Sequence, residues 1–151
     1  PNGKIDLPQG EREGAVKYTD YALGKFIADA QKKPWFSNTV FVIVADHCAS
    51  SAGKWEINIA KHHIPAIIYN SGNNAEKIDR LTSQIDVMPT LFGYLNWNYT
   101  TSLYGKDINK TKPGEERAFI GNCRTLGLLK NDIFAQQHNK KRILRTLTFS
   151  F

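Results

Sequence analysis

The sequence of 151 residues is long enough for one domain with a buried core, and its 41% hydrophobic and 23% charged content is typical of a globular protein. It lacks the run of roughly 20 apolar residues that a membrane-spanning helix needs. The net charge of +6 at pH 7 permits an anionic partner, but no zinc-finger spacing or RNA-binding aromatic motif accompanies it, so no nucleic acid is expected as a partner. The chain opens on Pro1 and a polar stretch without signal-peptide features, and we expect that the protein begins upstream.

The first predicted element is an amphipathic helix from about Glu11 to Lys32. Apolar or small residues recur at steps of three and four and predict a single buried stripe. Pro34 ends the helix, because the residue before proline is pushed out of helical dihedral angles. The residues of the stripe are Ala15, Val16, Thr19, Ala22, Leu23, Phe26, Ile27 and Ala30.

Two apolar runs then predict buried strands, one over residues 39–45 and one over residues 64–69. Neither run has a polar face, which is typical of central strands in a parallel sheet covered on both sides. Pro65 must lie near the start of the second strand, because proline cannot donate a hydrogen bond to the ladder.

Residues 82–95 predict a helix that Thr82 or Ser83 can cap. In an alternative interpretation the helix starts later, and Pro89 lies in its first turn, where a missing N–H costs little. The expected buried stripe consists of Ile85, Met88, Leu91, Phe92 and Leu95.

Three short segments near the C-terminus, at 117–121, 126–130 and 133–137, predict antiparallel strands joined by tight turns. A basic run follows and is interpreted as a solvated tail; it consists of Lys140, Lys141, Arg142 and Arg145. We therefore predict a layered α/β/α fold with a mostly parallel central sheet and a small C-terminal antiparallel sheet. Residues 1–112 would form the α/β part, and residues 113–151 the antiparallel subregion and tail of the same domain.

The first candidate site is Asp46–His47, directly after the first buried strand. Ligands of open α/β sheets bind beyond the carboxyl ends of strands, and a carboxylate beside an imidazole offers two ligands to a divalent cation. Both can serve one site only if the chain turns there, because adjacent residues of a strand face opposite ways. The alternative is structural: a strand-terminal Asp often caps the next helix, and a single His is often packed.

Two further positions are candidates for contact with an anionic group. Lys54 follows the pair and can offset charge on a transferring phosphoryl or sulfuryl group, although it can equally be a surface lysine. His62 and His63 precede the second strand, and one of them would face the same sheet edge. The two cysteines, Cys48 and Cys123, match no metal-binding or disulfide pattern.

Three ordered motifs, TVFVIVADHCASSAGKWE, HHIPAIIY and SQIDVMPTLFGYL, resemble the sulfatase-type catalytic domain of the alkaline-phosphatase superfamily. This domain is shared by lipoteichoic acid synthases, phosphoethanolamine transferases and arylsulfatases. The helix KYTDYALGKFI before the first strand is also similar. The resemblance covers about residues 11–108 well and the remainder more loosely.

The resemblance implies roles for individual residues. Asp46 and His47 match the Asp–His metal pair of the transferases, whereas most sulfatases carry Asp–Asn, so it favours a phosphotransferase similar to the lipoteichoic acid synthases. Lys54 loosely matches a sulfate-contacting lysine, and His63 lies where the transferases often carry histidine near the substrate. Asp86 and Pro89 are implied to be fold determinants that set a helix start.

For the whole protein the resemblance implies covalent phosphoryl or sulfuryl transfer from an anionic phosphate- or sulfate-bearing substrate. Manganese or zinc is favoured over calcium, because the ligand pair is an oxygen and an imidazole. The family's nucleophile lies near the start of its catalytic domain and matches no segment here, so we expect no catalytic nucleophile in this chain and no turnover by it alone. Attachment to a bacterial membrane through upstream helices, with the domain on the extracytoplasmic face, is likewise implied.

Two rival functions stay open on the sequence. A non-catalytic module of the same fold would bind an anionic glycan, a lipid headgroup or a nucleic acid, and the charge of +6 suits it. The second rival interpretation is a half-domain with a purely structural role. The substrate, the acceptor, the metal and the oligomeric state are not specified by the residues.

Overall fold

A computed structural model describes residues 11–48, 57–122, 124–138 and 141–148. The chain divides into two compact units, with the division between Thr39 and Val40. In the described part of the chain, no helix combines the length and the apolar character needed to cross a bilayer.

The first unit contains helix α1, Glu11–Ala30, followed by a 3₁₀ turn at Phe36–Asn38. The predicted helix is confirmed, and its apolar stripe is only partly buried. Ala30 is 3% exposed, whereas Val16 and Phe26 remain 65% and 54% exposed. Lys25 and Lys32 form ion pairs with Asp29 on the exposed surface of the helix.

The second unit begins with strands β1, Phe41–Val44, and β2, Ala66–Tyr69. Both strands were predicted, and Pro65 lies immediately before β2 as its missing N–H requires. The expected parallel arrangement is wrong for this pair, because β1 and β2 pair directly and antiparallel, with Val44 opposite Ala66. The end of β1 therefore lies beside the start of β2, which brings the Asp46 turn next to the residues that precede Ala66.

Residues Gln84–Asp86 form a 3₁₀ turn that leads into helix α2, Val87–Tyr94, so Pro89 lies in the first turn of the helix as the alternative interpretation proposed. Ser83 caps the turn, and its backbone N–H donates to the Asp86 carboxylate at 2.8 Å. The predicted stripe is wrong in part. Ile85 and Met88 are 45% and 43% exposed, because the helix instead buries the face that carries Asp86, Pro89, Thr90 and Leu91.

Helix α2 ends in a Schellman motif. Asn96 adopts a positive φ of 52°, and the Trp97 N–H donates to the Phe92 carbonyl at 3.0 Å. The Phe92 and Trp97 rings stack with their centroids 5.6 Å apart, which supplies the apolar contact of this motif.

A four-stranded antiparallel sheet completes the unit, in the order β3–β4–β5–β6. The strands are Ala118–Gly121, Thr125–Lys130, Ile133–His138 and Lys141–Thr148. The first three match the predicted strands. The solvated-tail interpretation is wrong for residues 141–148, which form β6 and pair with β5.

Alternate residues of the sheet face the core, as period two requires. The buried cluster joins the loop residue Ile57 to the inner face of three strands, and Ile59 and Leu81 pack against it. The cluster consists of Ile57, Ala118, Ile120, Leu129 and Phe134. The core thus lies on one side of the antiparallel sheet, and β1 and β2 are not part of it.

Candidate metal centre

The chain bends directly after β1, at Asp46 and His47. The Asp46 Oδ1 atom accepts a hydrogen bond from the His47 backbone N–H at 2.9 Å, which stabilises the bend. This is the turn that two adjacent ligands need in order to face one site.

The bend brings two possible ligand atoms together. Asp46 Oδ2 and His47 Nε2 are 3.4 Å apart, and the side chains are 88% and 65% exposed. Two ligand atoms that each lie about 2.1 Å from a metal in a tetrahedral arrangement are about 3.4 Å apart. The separation of the two atoms therefore equals the distance expected between two ligands of one cation.

The other ring nitrogen of His47 is already engaged. Nδ1 lies 3.0 Å from the Cys48 carbonyl oxygen, and because a carbonyl can only accept, Nδ1 is the protonated nitrogen in this contact. In the neutral form of the ring, Nε2 then carries the lone pair. Metal-ligating histidines usually donate their second N–H to a carbonyl or carboxylate in this way, which fixes the tautomer and the ring.

His63 and Cys48 connect the bend to the start of β2. The β1–β2 ladder ends at the Val44–Ala66 pair, and His63 lies three residues before the start of β2. The Cys48 Sγ atom donates to the His63 carbonyl oxygen at 3.1 Å, so the thiol links the two segments. The His63 side chain is exposed, while the ring of His62 is held through Nδ1 by the Asn58 carbonyl at 2.7 Å.

The bend is also held at Ala45. Its N–H donates to the Pro65 carbonyl at 3.2 Å, and its carbonyl accepts from the Gln84 side-chain amide at 3.0 Å. Sequence reasoning did not identify Gln84 as part of the site, because no local pattern indicates a contact across 39 residues. The signal that could have indicated a role for Gln84 was its position as the second residue of the SQIDVMPT motif.

Asp46, His47 and His63 line one open groove, and Asn122 and Arg124 line it as well. Neither Asn122 nor Arg124 was a sequence candidate. Arg124 is a positively charged residue among those that line the groove. Lys54 lies outside the described residues, so its predicted contact with an anionic group stays a prediction. Within the described ranges no third Asp, Glu, His or Cys joins the pair in a metal-binding cluster.

Asp86 is buried, with 2% of its surface exposed, and is the last residue of the 3₁₀ turn that carries Gln84. Its two oxygens accept bonds from Arg117 at 2.8 and 3.0 Å and from the Lys106 N–H at 2.8 Å, besides the Ser83 N–H. Burial by itself would raise the pKa of Asp86, but these hydrogen bonds outweigh it and hold the pKa below its ordinary value of 3.8. Asp86 therefore sets the helix start, as the resemblance implied, and both of its carboxylate oxygens are engaged in these structural hydrogen bonds.

The comparison with known protein families decides the class of the chain. A family model for the sulfatases matches residues 10–97, more than half of the chain. The chain belongs to the sulfatase family. The matched range contains the bend, Lys54, His63 and Gln84.

A solved structure extends this likeness over the sulfatase-family chain as a whole. It is the crystal structure of a protein in the alkaline phosphatase superfamily from Vibrio parahaemolyticus, 32% identical, with a TM-score of 0.88 over 99% of the present chain. The predicted alkaline-phosphatase-like α/β fold with a small antiparallel sheet is thereby confirmed. The present chain spans 38% of the length of that relative.

Proposed function

We propose that this sulfatase-family chain supplies the Asp46–His47 part of a divalent-metal centre in a phosphotransferase or sulfatase. The observation that carries the proposal is the 3.4 Å separation of Asp46 Oδ2 and His47 Nε2, with Nδ1 held by the Cys48 carbonyl. Manganese or zinc suits this oxygen–imidazole pair better than calcium. A bound cation would polarise a phosphoryl or sulfuryl oxygen as a Lewis acid.

The residues of this chain would act by binding and orienting. Asp46 and His47 would hold the metal, while Lys54, His63 and Arg124 would face the anionic group and offset its charge. In the reaction a hydroxyl attacks phosphorus or sulfur, and the ester oxygen leaves with the bonding electrons and takes up a proton. The Asp–His pair favours phosphoryl transfer of the lipoteichoic acid synthase kind over sulfate hydrolysis, on the resemblance of the motif.

The reaction is proposed for a longer protein, because the chain spans 38% of the solved relative. We propose that the 151-residue chain by itself is inactive. A location on the extracytoplasmic face of a bacterial membrane, with attachment through helices outside this chain, is proposed from the same resemblance.

Metal titration by calorimetry tests the proposal. The chain should bind Mn²⁺ or Zn²⁺, and Asp46→Ala and His47→Ala should each abolish the binding. Asp79→Ala is the matched control, because it removes an exposed carboxylate that forms an ion pair with Lys77. Binding that survives both ligand substitutions would overturn the assignment. Hydrolysis of p-nitrophenyl phosphate or sulfate by the purified chain would overturn the proposed inactivity.

A non-catalytic module that binds an anionic glycan or lipid headgroup is the second candidate function. The net charge of +6 and the presence of Arg124 in the groove favour it. Binding of a sulfated oligosaccharide that falls steeply with salt and is unchanged in Asp46→Ala would support this candidate, because such binding would depend on charge and not on the metal.

A further inference from the structure

The bend at Asp46 depends on a residue that belongs to a different element. Ala45 is the last residue before the pair, and its carbonyl belongs to the same peptide group as the Asp46 N–H. The Gln84 side-chain amide donates to this carbonyl at 3.0 Å. Because the peptide group is planar, a hydrogen bond that orients the Ala45 carbonyl also orients the Asp46 N–H and the backbone that carries the Asp46 side chain.

The Ala45–Asp46 peptide group lies where the β-ladder stops. The last paired residue of β1 is Val44, and the Ala45 N–H makes one further bond, to the Pro65 carbonyl. After this bond, the Gln84 side chain contacts the Ala45 carbonyl. Further along the chain, the Cys48 thiol donates to the His63 carbonyl. The two side chains hold the segment Ala45–Cys48 at its two ends.

Gln84 is well placed for this task because its own backbone is fixed by a buried network. It lies between Ser83 and Asp86, which are 6% and 2% exposed. The Ser83 hydroxyl accepts from the Phe119 N–H, and the Asp86 carboxylate accepts from Arg117. With the backbone anchored, only the side-chain torsions of Gln84 must be ordered to reach Ala45, which limits the entropic cost of the contact.

We propose that Gln84 is a positioning residue for the Asp46–His47 metal pair, acting through the Ala45 carbonyl. The inference rests on the proposed function, since a positioning role presupposes that the pair binds metal. Gln84 itself does not touch the metal or the substrate in this scheme. Its effect is to restrict the bend to the geometry in which Asp46 Oδ2 and His47 Nε2 converge.

The test compares Gln84→Met with Gln137→Met in the 151-residue chain. Methionine has nearly the shape of glutamine but no donor, and Gln137 is an exposed residue of β5 that does not line the groove. We expect Gln84→Met to weaken Mn²⁺ binding about threefold to tenfold, the effect of losing one partly exposed hydrogen bond, while Gln137→Met leaves it unchanged.

A second readout follows the backbone in the absence of metal. The ¹⁵N shift of the Asp46 amide depends on hydrogen bonding to the Ala45 carbonyl, so Gln84→Met should move the Asp46 and His47 resonances more than Gln137→Met does. Unchanged Mn²⁺ affinity, or shift changes confined to residues 83–86, would overturn the role of Gln84 and leave the metal pair standing. Failure of the unmodified chain to bind Mn²⁺ and Zn²⁺ would overturn the proposed function, and the role of Gln84 with it.

Discussion

Arg117 and Asp86 form a two-point ion pair, with Nη1 to Oδ2 at 2.8 Å and Nη2 to Oδ1 at 3.0 Å. The two side chains are 12% and 4% exposed. The pair joins the segment that enters β3 to the start of α2 across 31 residues. The Arg117 guanidinium also lies 5.2 Å from the centroid of the Phe119 ring, so it is held on a second side.

Removing one partner of this pair should be strongly destabilising. Arg117→Met leaves the buried Asp86 carboxylate uncompensated, and we expect the free energy of unfolding to fall by about 3 kcal/mol or more. Urea unfolding followed by circular dichroism measures this. Lys77→Met, which removes an exposed partner of Asp79, is the control and should change nothing measurable. Equal unfolding midpoints for the two variants would contradict the prediction.

Asp86 should also give the stability a specific pH dependence. Its pKa in the folded chain lies below the ordinary value of 3.8, so the unfolded chain binds the proton more readily. The contribution of Asp86 is therefore complete above about pH 4 and is lost as the pH falls through that value towards the folded-state pKa.

Unfolding by urea at a series of pH values from neutral to about pH 3 checks the sign. Asp86→Asn cannot titrate, and its stability should decline less steeply on acidification than that of the unmodified chain. The remaining carboxylates contribute to both curves, so the difference between the curves isolates Asp86. If the stability of the two proteins declined equally with falling pH, Asp86 would make no pH-dependent contribution to stability.

Gly105 is expected to tolerate no side chain. A Cβ atom at this position would overlap the Ile85 carbonyl oxygen and lie 2.7 Å from the carbon that bears it. Because this obstacle is backbone, Gly105→Ala should lower the free energy of unfolding by about 1–3 kcal/mol. Gly24→Ala is the same change inside α1, where no atom lies within 4 Å of the added carbon, and should stabilise the helix by about 0.5–1 kcal/mol. Thermal unfolding of both variants provides the comparison, and a stabilising Gly105→Ala would be the contrary result.

Two leucines on opposite faces of β4 give a matched pair for the core. Leu129 is 2% exposed and belongs to the buried cluster, whereas Leu126 is 58% exposed. Leu129→Ala should cost about 2–5 kcal/mol, because it removes buried methyl groups and leaves a cavity. Leu126→Ala should change the stability by less than about 0.5 kcal/mol. Similar losses in calorimetric unfolding would mean that the core lies elsewhere.

Local patterns predicted the elements well. The spacing of three and four predicted α1, the apolar runs predicted β1 and β2, and short segments joined by tight turns predicted the first three strands of the C-terminal sheet. Pro65 lies immediately before β2, as predicted, and Pro89 lies in the first turn of α2, as the alternative interpretation proposed. In each of these cases the deciding forces act within a few residues along the chain.

Contacts between segments that are distant along the chain could not be predicted from the sequence in the same way. A fully apolar strand does not encode the direction of its partner, and β1 and β2 proved antiparallel. Residues 141–148 resembled a solvated tail because of their charge, yet they pair with β5. The roles of Gln84 and Arg117 depend on contacts across 39 and 31 residues, which a single sequence does not specify. A bend at Asp46–His47 was a condition of the predicted site and is present, but the contacts that hold it were not predicted.

The turn between β4 and β5 has a consequence for the order in which the protein assembles. Asn131 and Asp132 adopt φ values of 48° and 60°, which is typical of a two-residue type I′ hairpin turn. Such hairpins form within about 1–10 μs, because they close a very short loop. The Gln84–Ala45 contact instead closes a loop of 39 residues and depends on the Asp86 network being in place. We therefore expect the antiparallel sheet to form first and the Asp46–His47 bend to be fixed late, so that binding of the proposed metal would follow folding and not nucleate it.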